Sequence, residues 1–394
     1  MSRAALLAFA CVAGALAGCQ SSGGHSGASA PPAALAFPAD FRFGAATSAH
    51  QVEGGQTNNW TLWETLPQFA GRTAEPSGAA VDEYHRYAED FDWIRWMGLD
   101  TYRFSIEWSR IEPERGRYDP VEIAHYRAVL DALRARGIHP SVTLHHFTDP
   151  TWFTDMTKIR SLPANDDFCA DGPSDADFCY WTNPEAPAVF GAFCGLMARE
   201  FGDRVDEWWT FNELTGHWLN TAFTGDFPPG LAARNAAEIQ TVSLPVLRGM
   251  LAAHAACYEA IHAEDTVDAD GDGRAARVGL TTGTGLVTPA DPARPADVAA
   301  AAQAEFLASF LAFDAAAFGM LDANLDGVPE EAHPEWAGSL DLLGLQFYAS
   351  TVILGIPVPP LLGLPCLNIT VNAGDPALSD ALTNLVADLL IGLG

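Results

Sequence analysis

The chain has 394 residues, 48% of them hydrophobic and 11 of them Trp, which is ample for a large core and excludes wholesale disorder. Acidic side chains outnumber basic ones 50 to 21, for a net charge of −29. That balance excludes nucleic acid as a partner, because phosphate binding needs clustered Lys and Arg. Lys158 is the sole lysine, so there is no Gly-Lys-Ser/Thr phosphate loop and only one candidate for Schiff-base chemistry.

At the N-terminus, Arg3 precedes an apolar run from Ala4 to Ala17 that ends in Leu16-Ala17-Gly18-Cys19. A short basic region followed by such a run predicts a signal peptide over residues 1–18, too short to span a bilayer. Leu-Ala-Gly-Cys resembles a bacterial lipobox. It implies lipidation at Cys19 and an exported chain anchored in the cell envelope, periplasmic or at the cell surface. Residues 19–36, rich in Ser, Gly, Ala and Pro, read as a flexible tether.

From Phe37 onward, short β-type runs alternate with helical patterns. The strands are expected at Phe41–Thr47, Thr101–Ile106, Pro140–His145, Glu207–Asn212, Arg277–Thr282 and Leu340–Tyr348. Amphipathic stretches fall between or beside them at Val81–Met97, Pro120–Arg136, Pro187–Phe201, Val242–Ala263 and Pro295–Phe318. This alternation predicts an α/β fold with a parallel sheet and helical crossovers. Strand runs that end in polar residues (Arg103, His145-His146, Asn212-Glu213) point to a TIM (β/α)8-type barrel with its chemistry at the C-terminal rim. Six strands are recognisable where a closed barrel has eight, so the expected barrel, residues 37–350, is incomplete, with strands seven and eight missing or divergent. Residues 351–394 change character, rich in Leu, Ile, Pro and Gly without any Glu, and their end, Leu378 to Leu393, reads as an apolar helix.

Five segments carry a family resemblance. They are Phe37-Pro-Ala-Asp-Phe-Arg-Phe-Gly-Ala-Ala-Thr-Ser-Ala-His-Gln-Val-Glu-Gly54, Tyr102-Arg-Phe-Ser-Ile-Glu-Trp-Ser-Arg-Ile-Glu-Pro-Glu-Arg-Gly116, Thr143-Leu-His-His-Phe-Thr-Asp-Pro-Thr-Trp-Phe153, Trp209-Thr-Phe-Asn-Glu-Leu214 and Asp341-Leu-Leu-Gly-Leu-Gln-Phe-Tyr-Ala-Ser350. In this order they resemble glycoside hydrolase family 1, the β-glucosidase family. The resemblance implies an exported retaining β-glycosidase that hydrolyses terminal β-glycosidic bonds of β-linked glucosides or oligosaccharides, with no catalytic cofactor. Retaining hydrolysis uses two carboxyl groups roughly 5–5.5 Å apart, one protonating the leaving oxygen and one attacking the anomeric carbon.

The resemblance assigns Glu213 as general acid/base. It assigns Gln51 and His146 to hydroxyls of the non-reducing sugar, and Asn212 to the 2-hydroxyl. It sets Arg103 beside the nucleophile, with the hydroxyl of Tyr348 bonded to that same group. Departures stand beside these matches. His145 and Phe147 flank His146 where Tyr and Trp are usual, Leu214 replaces Pro, and Gln346-Phe347 replaces Asn-Tyr. The family's nucleophile lies in an Ile/Val-Thr-Glu-Asn-Gly motif beyond the strand-six tyrosine. Here the last Glu is Glu335, and the nearest echo, Ile369-Thr-Val-Asn-Ala-Gly374, carries Val371 at that place. The alternative function is therefore an inactive sugar-binding surface lipoprotein.

Two loops, Asp268-Ala-Asp-Gly-Asp-Gly273 and Asp322-Ala-Asn-Leu-Asp-Gly327, resemble the first half of a calcium loop. Asp268, Asp270 and Asp272, and likewise Asp322, Asn324 and Asp326, stand at positions 1, 3 and 5 as candidate structural ligands. Among the cysteines, Cys169 and Cys179 flank a polar loop and are the expected disulfide. Cys194 and Cys257 lie in helical patterns and are expected as buried thiols.

Overall fold

The computed structural model describes residues 36–174, 177–357 and 366–371. The signal, Cys19 and the tether through Leu35 lie outside the described residues, as does the apolar end after Val371. The chain divides into two compact units, Met1–Phe41 and Arg42–Gly394. In the first, the Phe41 amide donates to the Pro38 carbonyl at 3.1 Å and the rings of Phe37 and Phe41 lie 4.4 Å apart.

Among the described residues, the second unit is built on nine strands: β1 (Gly44–Ala46), β2 (Thr101–Ser105), β3 (His139–His145), β4 (Glu207–Phe211), β5 (Arg277–Pro289), β6 (Met320–Leu321), β7 (Glu331–Ala332), β8 (Leu342–Pro357) and β9 (Cys366–Val371). One sheet has the order β1-β2-β3-β4-β5-β8-β9. Its first six members are mutually parallel and β9 returns antiparallel to β8. The six parallel strands form a curled, open half-barrel, which is the incomplete barrel the sequence predicts. β6 and β7 form a separate antiparallel pair.

Registers set the chemistry-bearing residues side by side. Ala46 pairs with Arg103, Arg103 with Ser141, Thr143 with Trp209, and Trp209 with Gly279. β2, β3, β4 and the first half of β5 are largely buried on both faces, as central strands of a parallel sheet are. Val142, Leu144, Trp208, Phe211, Val278 and Leu280 have 5% exposure or less. Each of these residues is apolar with a strong β preference or fills a core position between sheet and helices.

Six of the longer helices pack around the sheet: α1 (Glu83–Trp96), α2 (Pro120–Ala135), α3 (Ala186–Phe201), α4 (Leu244–Glu264), α5 (Pro295–Glu305) and α6 (Leu311–Phe318). All five helical stretches expected from periodicity are present; the last is split by a π-helical turn at Phe306–Phe310. α2 starts where its sequence directs, with Pro120 in the first turn and the Asp119 carboxylate accepting the Val121 amide at 2.8 Å. Between α3 and the sheet, Trp108, Trp152, Phe153, Trp181, Phe190 and Phe193 form a cluster of edge-on and stacked rings.

Three expectations change. β1 is only three residues long, and Phe41 and Phe43 are exposed and lie outside it. β5 and β8 run well past Thr282 and Tyr348, because β-branched Thr284, Val287, Thr288, Thr351, Val352 and Ile353 extend the ladder, and Ile353 packs on Ala300 and Ala301 of α5. Cys194 and Cys257 are joined in a disulfide with Cα atoms 5.3 Å apart, rather than standing as free thiols. The cause is the closeness of α3 and α4: a Cβ at Gly191 would come within 3.2 Å of the Ala256 carbonyl oxygen, so glycine lets the two backbones approach to bridging distance. The Cys169–Cys179 disulfide is present as expected.

Candidate active site

β4 ends at Phe211, and the next two residues, Asn212 and Glu213, stand at the C-terminal rim. Glu213 adopts φ 45° and ψ 56°, a left-handed conformation that costs a non-glycine residue about 1–3 kcal/mol. The surroundings hold it there. Its amide donates to Thr281 Oγ1 of β5 at 2.9 Å, and its carbonyl accepts the His217 amide at 2.7 Å. Two glycines make the notch for its carboxyl group: a Cβ at Gly216 would lie 3.1 Å from Oε2, and one at Gly283 would lie 3.3 Å from it.

Partial burial raises the Glu213 pKa; a hydrogen bond from Tyr348 and the charge of Arg103 pull it back in part. Tyr348 donates to Glu213 Oε1 at 2.8 Å, and burial together with this carboxylate pushes the phenol up to about 12. Arg103 rises from β2, donates through Nε to Thr143 Oγ1 at 3.0 Å and through Nη2 to Asn212 Oδ1 at 2.9 Å. Burial lowers its pKa to about 10 against the raising influence of Tyr348, Glu207 and Glu213, so it stays cationic at neutral pH.

Asn212 is 2% exposed. Its amide bonds the His145 carbonyl at 2.8 Å, and its Oδ1 also accepts from Thr281 Oγ1 at 3.3 Å. That acceptor is saturated by protein donors, so Nδ2 is the end of the amide left for a ligand hydroxyl among the described residues. Gln346 sits at the centre, with its side chain against Asn212, Thr281 and Tyr348. Flipping its amide would direct the nitrogen to Glu213 at 2.6 Å but set its oxygen against Asn212 Oδ1.

Gln51 and His146 meet in a cleft of about 350 Å3 with His50, Trp60, Phe147 and Phe227. Gln51 is held by the Ser48 hydroxyl, which donates to its Oε1 at 2.7 Å. His146 is driven well below its ordinary pKa by burial and by the charges of Arg103 and His145, so it is a neutral donor–acceptor suited to a hydroxyl. A second cleft, of about 300 Å3, opens at the N-terminal ends of the strands beside His139, Glu207 and Arg277, away from these residues.

The structure thus brings Arg103, Asn212, Glu213 and Tyr348 into one cluster, and Gln51 and His146 into one cleft. Two roles differ from expectation. Tyr348 bonds Glu213 rather than a second carboxylate, and Arg103 grips Asn212; its guanidinium is the only charge that shifts the Glu213 pKa among the described residues. Sequence reading passed over Thr143, Thr281, Gly216 and Gly283 and noted Gln346 only as a departure from the family pattern; all five brace these groups. Strand alternation carried the signal for the two threonines: Thr143 lies between Ser141 and His145 on one face of β3, and Thr281 between Gly279 and Gly283 on one face of β5, neither face being an apolar stripe. His145, a departure from the family pattern, is fully buried and bonds Asp149 at 3.1 Å, which is held in turn by Asn59 at 2.8 Å.

In the Asp268 loop, Asp268 accepts the Gly271 and Gly273 amides, Asp270 the Asp272 amide and Asp272 the Arg274 amide. In the other, Asp322 accepts the Asp326 and Gly327 amides, Asn324 the Asp326 amide and Asp326 the Val328 amide. Lys158 pairs with Asp171 at 2.9 Å on the surface.

The chain matches the glycosyl hydrolase family 1 profile over residues 34–168 and 175–359. It is 30% identical over 336 residues to β-glucosidase 25 of Oryza sativa subsp. japonica, covering 80% of this chain and 61% of that protein. It is 29% identical over 364 residues to a β-galactosidase of Pyrococcus woesei, covering 80% and 68%. Among solved structures, a β-glycosidase from Pyrococcus horikoshii superposes with a TM-score of 0.67 at 27% identity, covering 86% of this chain and 68% of that one. A rice β-glucosidase superposes with a TM-score of 0.68 at 26% identity, covering 86% and 72%. The chain spans between about a third and two thirds of the length of the curated relatives it matches. A profile match across most of the chain, on a curled parallel sheet with Glu213 at its rim, places the protein in glycosyl hydrolase family 1.

Proposed function

We propose that this chain carries the acid/base half of an exported retaining β-glycosidase that acts on β-linked glucosides. The observation that carries the reading is Glu213: a carboxyl group at the end of β4, raised in pKa by burial, with Arg103, Asn212 and Tyr348 fixed around it. A group of this kind keeps its proton long enough to deliver it to a leaving oxygen. Asn212 Nδ2, Gln51 and His146 are the polar groups for the sugar. Catalysis of this type needs no redox cofactor or metal, because two carboxyl groups suffice. We find no match to the family's second carboxylate in this sequence, since no Glu follows Glu335 and Tyr348 bonds Glu213; turnover by this chain therefore requires another carboxylate to take the attacking part.

That last contact favours a second reading, a sugar-binding surface protein without turnover. One experiment separates the two. Purified chain is given an aryl β-glucoside, and phenol release is followed alongside calorimetric titration with a β-linked oligosaccharide. Release that Glu213→Ala abolishes supports the glycosidase. Binding without release supports the second reading, and neither binding nor release rejects both.

Export through the N-terminal signal and lipid anchoring at Cys19 complete the proposal. They rest on the Leu16-Ala17-Gly18-Cys19 pattern, and incorporation of labelled fatty acid that Cys19→Ala prevents would be the supporting result. Structural calcium in the Asp268 and Asp322 loops is part of the same proposal, supported by ligand spacing alone. It requires a rise in Tm with added calcium, reversed by chelator.

A further inference from the structure

Next to the rim lies a group of polar side chains that the acid/base reading does not use. His145 closes β3, Asp149 follows four residues later, and His217 stands in the short helix Leu214–Trp218. All three are buried, at 1% exposure or less. One ring nitrogen of each histidine and a carboxylate oxygen of Asp149 lie within 4.8 Å of one another. The two imidazoles are 5.1 Å apart, in a core otherwise made by Trp181, Phe190 and Phe211. Hydrogen bonding among the described residues leaves them incomplete. His145 Nε2 bonds Asp149 at 3.1 Å and His217 Nε2 bonds the Tyr180 hydroxyl at 2.9 Å, while Nδ1 of each ring is buried without a partner. An unsatisfied buried polar atom costs about 1–3 kcal/mol, and apolar side chains would fill this space without that cost.

We propose that His145, Asp149 and His217 form a closed structural site for a zinc ion. The donor set is the first argument. Two imidazoles and one carboxylate suit zinc, whereas calcium and magnesium take oxygen ligands. Ligand atoms around a tetrahedral zinc ion stand about 3.4 Å apart, so rotation of the two rings is enough to close the set on the ion. The Tyr180 hydroxyl, beside His217, supplies a fourth oxygen. Support from behind is the second argument. Asn59 Nδ2 donates to the Asp149 carboxylate at 2.8 Å, and Asn59 Oδ1 accepts the Asp149 amide at 2.9 Å. Such outer contacts orient a ligating carboxylate before the ion arrives. Burial of every member fits a structural ion with no open position, taken up as the chain folds.

The backbone gives the ion a consequence. The His145 carbonyl accepts the Asn212 amide at 2.8 Å, and the His217 amide donates to the Glu213 carbonyl at 2.7 Å. An ion that joins the two histidine side chains therefore ties together the two backbone segments that hold Asn212 and Glu213. It acts as a clasp behind the rim, and it touches neither carboxyl group nor substrate. The site stands on its own residues and does not depend on turnover by this chain.

Elemental analysis tests this on the untagged full chain, unfolded in denaturant with its disulfides intact, refolded with zinc and dialysed. About one zinc ion per chain should remain. Asp149→Asn and His217→Gln nearly conserve side-chain size and should each lower that content at least ~10-fold. Asp268→Asn with Asp270→Asn should leave it unchanged. Cobalt in place of zinc reads the unaltered chain, so the test survives if either single variant fails to fold. It should give the strong visible absorption of a four-coordinate ion, and X-ray absorption should count two imidazoles. Hydrogen exchange at the Asn212 and His217 amides should be slower with zinc than without it. Refolded chain that retains no ion overturns the proposal. So does an ion that survives both single substitutions, and so does a metal shell that contains sulfur or oxygen alone. Equal exchange at both amides with and without zinc removes the clasp.

Discussion

Tyr348 donates its hydroxyl to Oε1 of Glu213 across 2.8 Å, and that one contact sets the balance of the rim. A hydrogen bond to a carboxylate favours the charged form, so it acts against the burial that raises the Glu213 pKa. Tyr348→Phe removes the opposing influence and leaves burial in command. The Glu213 pKa therefore rises, and a step that needs Glu213 protonated persists to higher pH. The alkaline limb of aryl β-glucoside hydrolysis should move upward in Tyr348→Phe. The carboxyl carbon shift of Glu213, followed by NMR against pH, reports the same change without turnover. A downward move would contradict this reading of the contact.

Gly283 tests how closely the carboxyl group is positioned. A methyl there would stand 3.3 Å from Glu213 Oε2, tighter than ordinary packing, while Gly283 itself lies within a long, well-paired strand. Gly283→Ala should displace the carboxyl group by a few tenths of an ångström and leave the fold intact. Misplacements smaller than 1 Å are enough to lower a rate by roughly 10-fold or more. The expected outcome is a loss in kcat with KM and Tm nearly unchanged; a matching fall in Tm would show that the strand, not the site, had been disturbed.

The sequence revealed the alternation of strand and helix because buried parallel strands and amphipathic crossovers leave opposite periodicities, as in Val142 to Leu144 beside Pro120 to Ala135. It revealed Arg103, Asn212 and Glu213 through the family resemblance of the segments that carry them, helped by the polarity of residues inside or just after short apolar strands. It could not reveal that Tyr348 would meet Glu213, since the contact joins groups 135 residues apart and depends on the curl of the sheet. It also concealed the length of β5 and β8. Past Thr282 and Tyr348 their residues are mixed in polarity, and only the pairing of one ribbon with the other makes them strands. The disulfide between Cys194 and Cys257 was hidden for a related reason, since only the packing of α3 on α4 sets them side by side.

Glu53 and Arg110 form a buried pair, with Arg110 Nε 2.8 Å from Oε2 and side-chain exposures of 11% for Arg110 and 8% for Glu53. Tyr126 donates to the other oxygen at 2.8 Å. Burial still raises the Glu53 pKa to about 7, over the lowering influence of Arg110 and Tyr126. A folded-state pKa above the unfolded value means the native chain holds the proton more tightly. The stabilisation is complete below the unfolded value and is lost as pH rises through about 7. Arg110→Met removes the compensating charge and leaves a buried carboxylate unpaired, at a cost of about 3–5 kcal/mol when Glu53 is ionised. Denaturant unfolding should therefore show a larger loss at pH 8 than at pH 5.5, where Glu53 takes up a proton. Equal losses at both would remove Glu53 from the explanation.

Cys194 and Cys257 fasten α3 to α4 at a sequence separation of 63 residues. A cross-link of that span restricts the unfolded chain by about 4 kcal/mol in the loop-entropy account. The bridge lies in the main core with both residues fully buried, so the two alanines of Cys194→Ala with Cys257→Ala fit the space without a new polar group, and most of the loss comes from the unfolded state. The double variant should be less stable by about 2–4 kcal/mol. Reductant should lower the denaturation midpoint of the unaltered chain and leave the double variant's nearly as it was, apart from the effect on Cys169 and Cys179. Buried disulfides persist where the surroundings are oxidising, so the same comparison bears on export. If the chain recovered from its native host contains both thiols free, the export signal at Arg3 to Cys19 loses its chemical support, and the stability difference between the two forms should vanish with it.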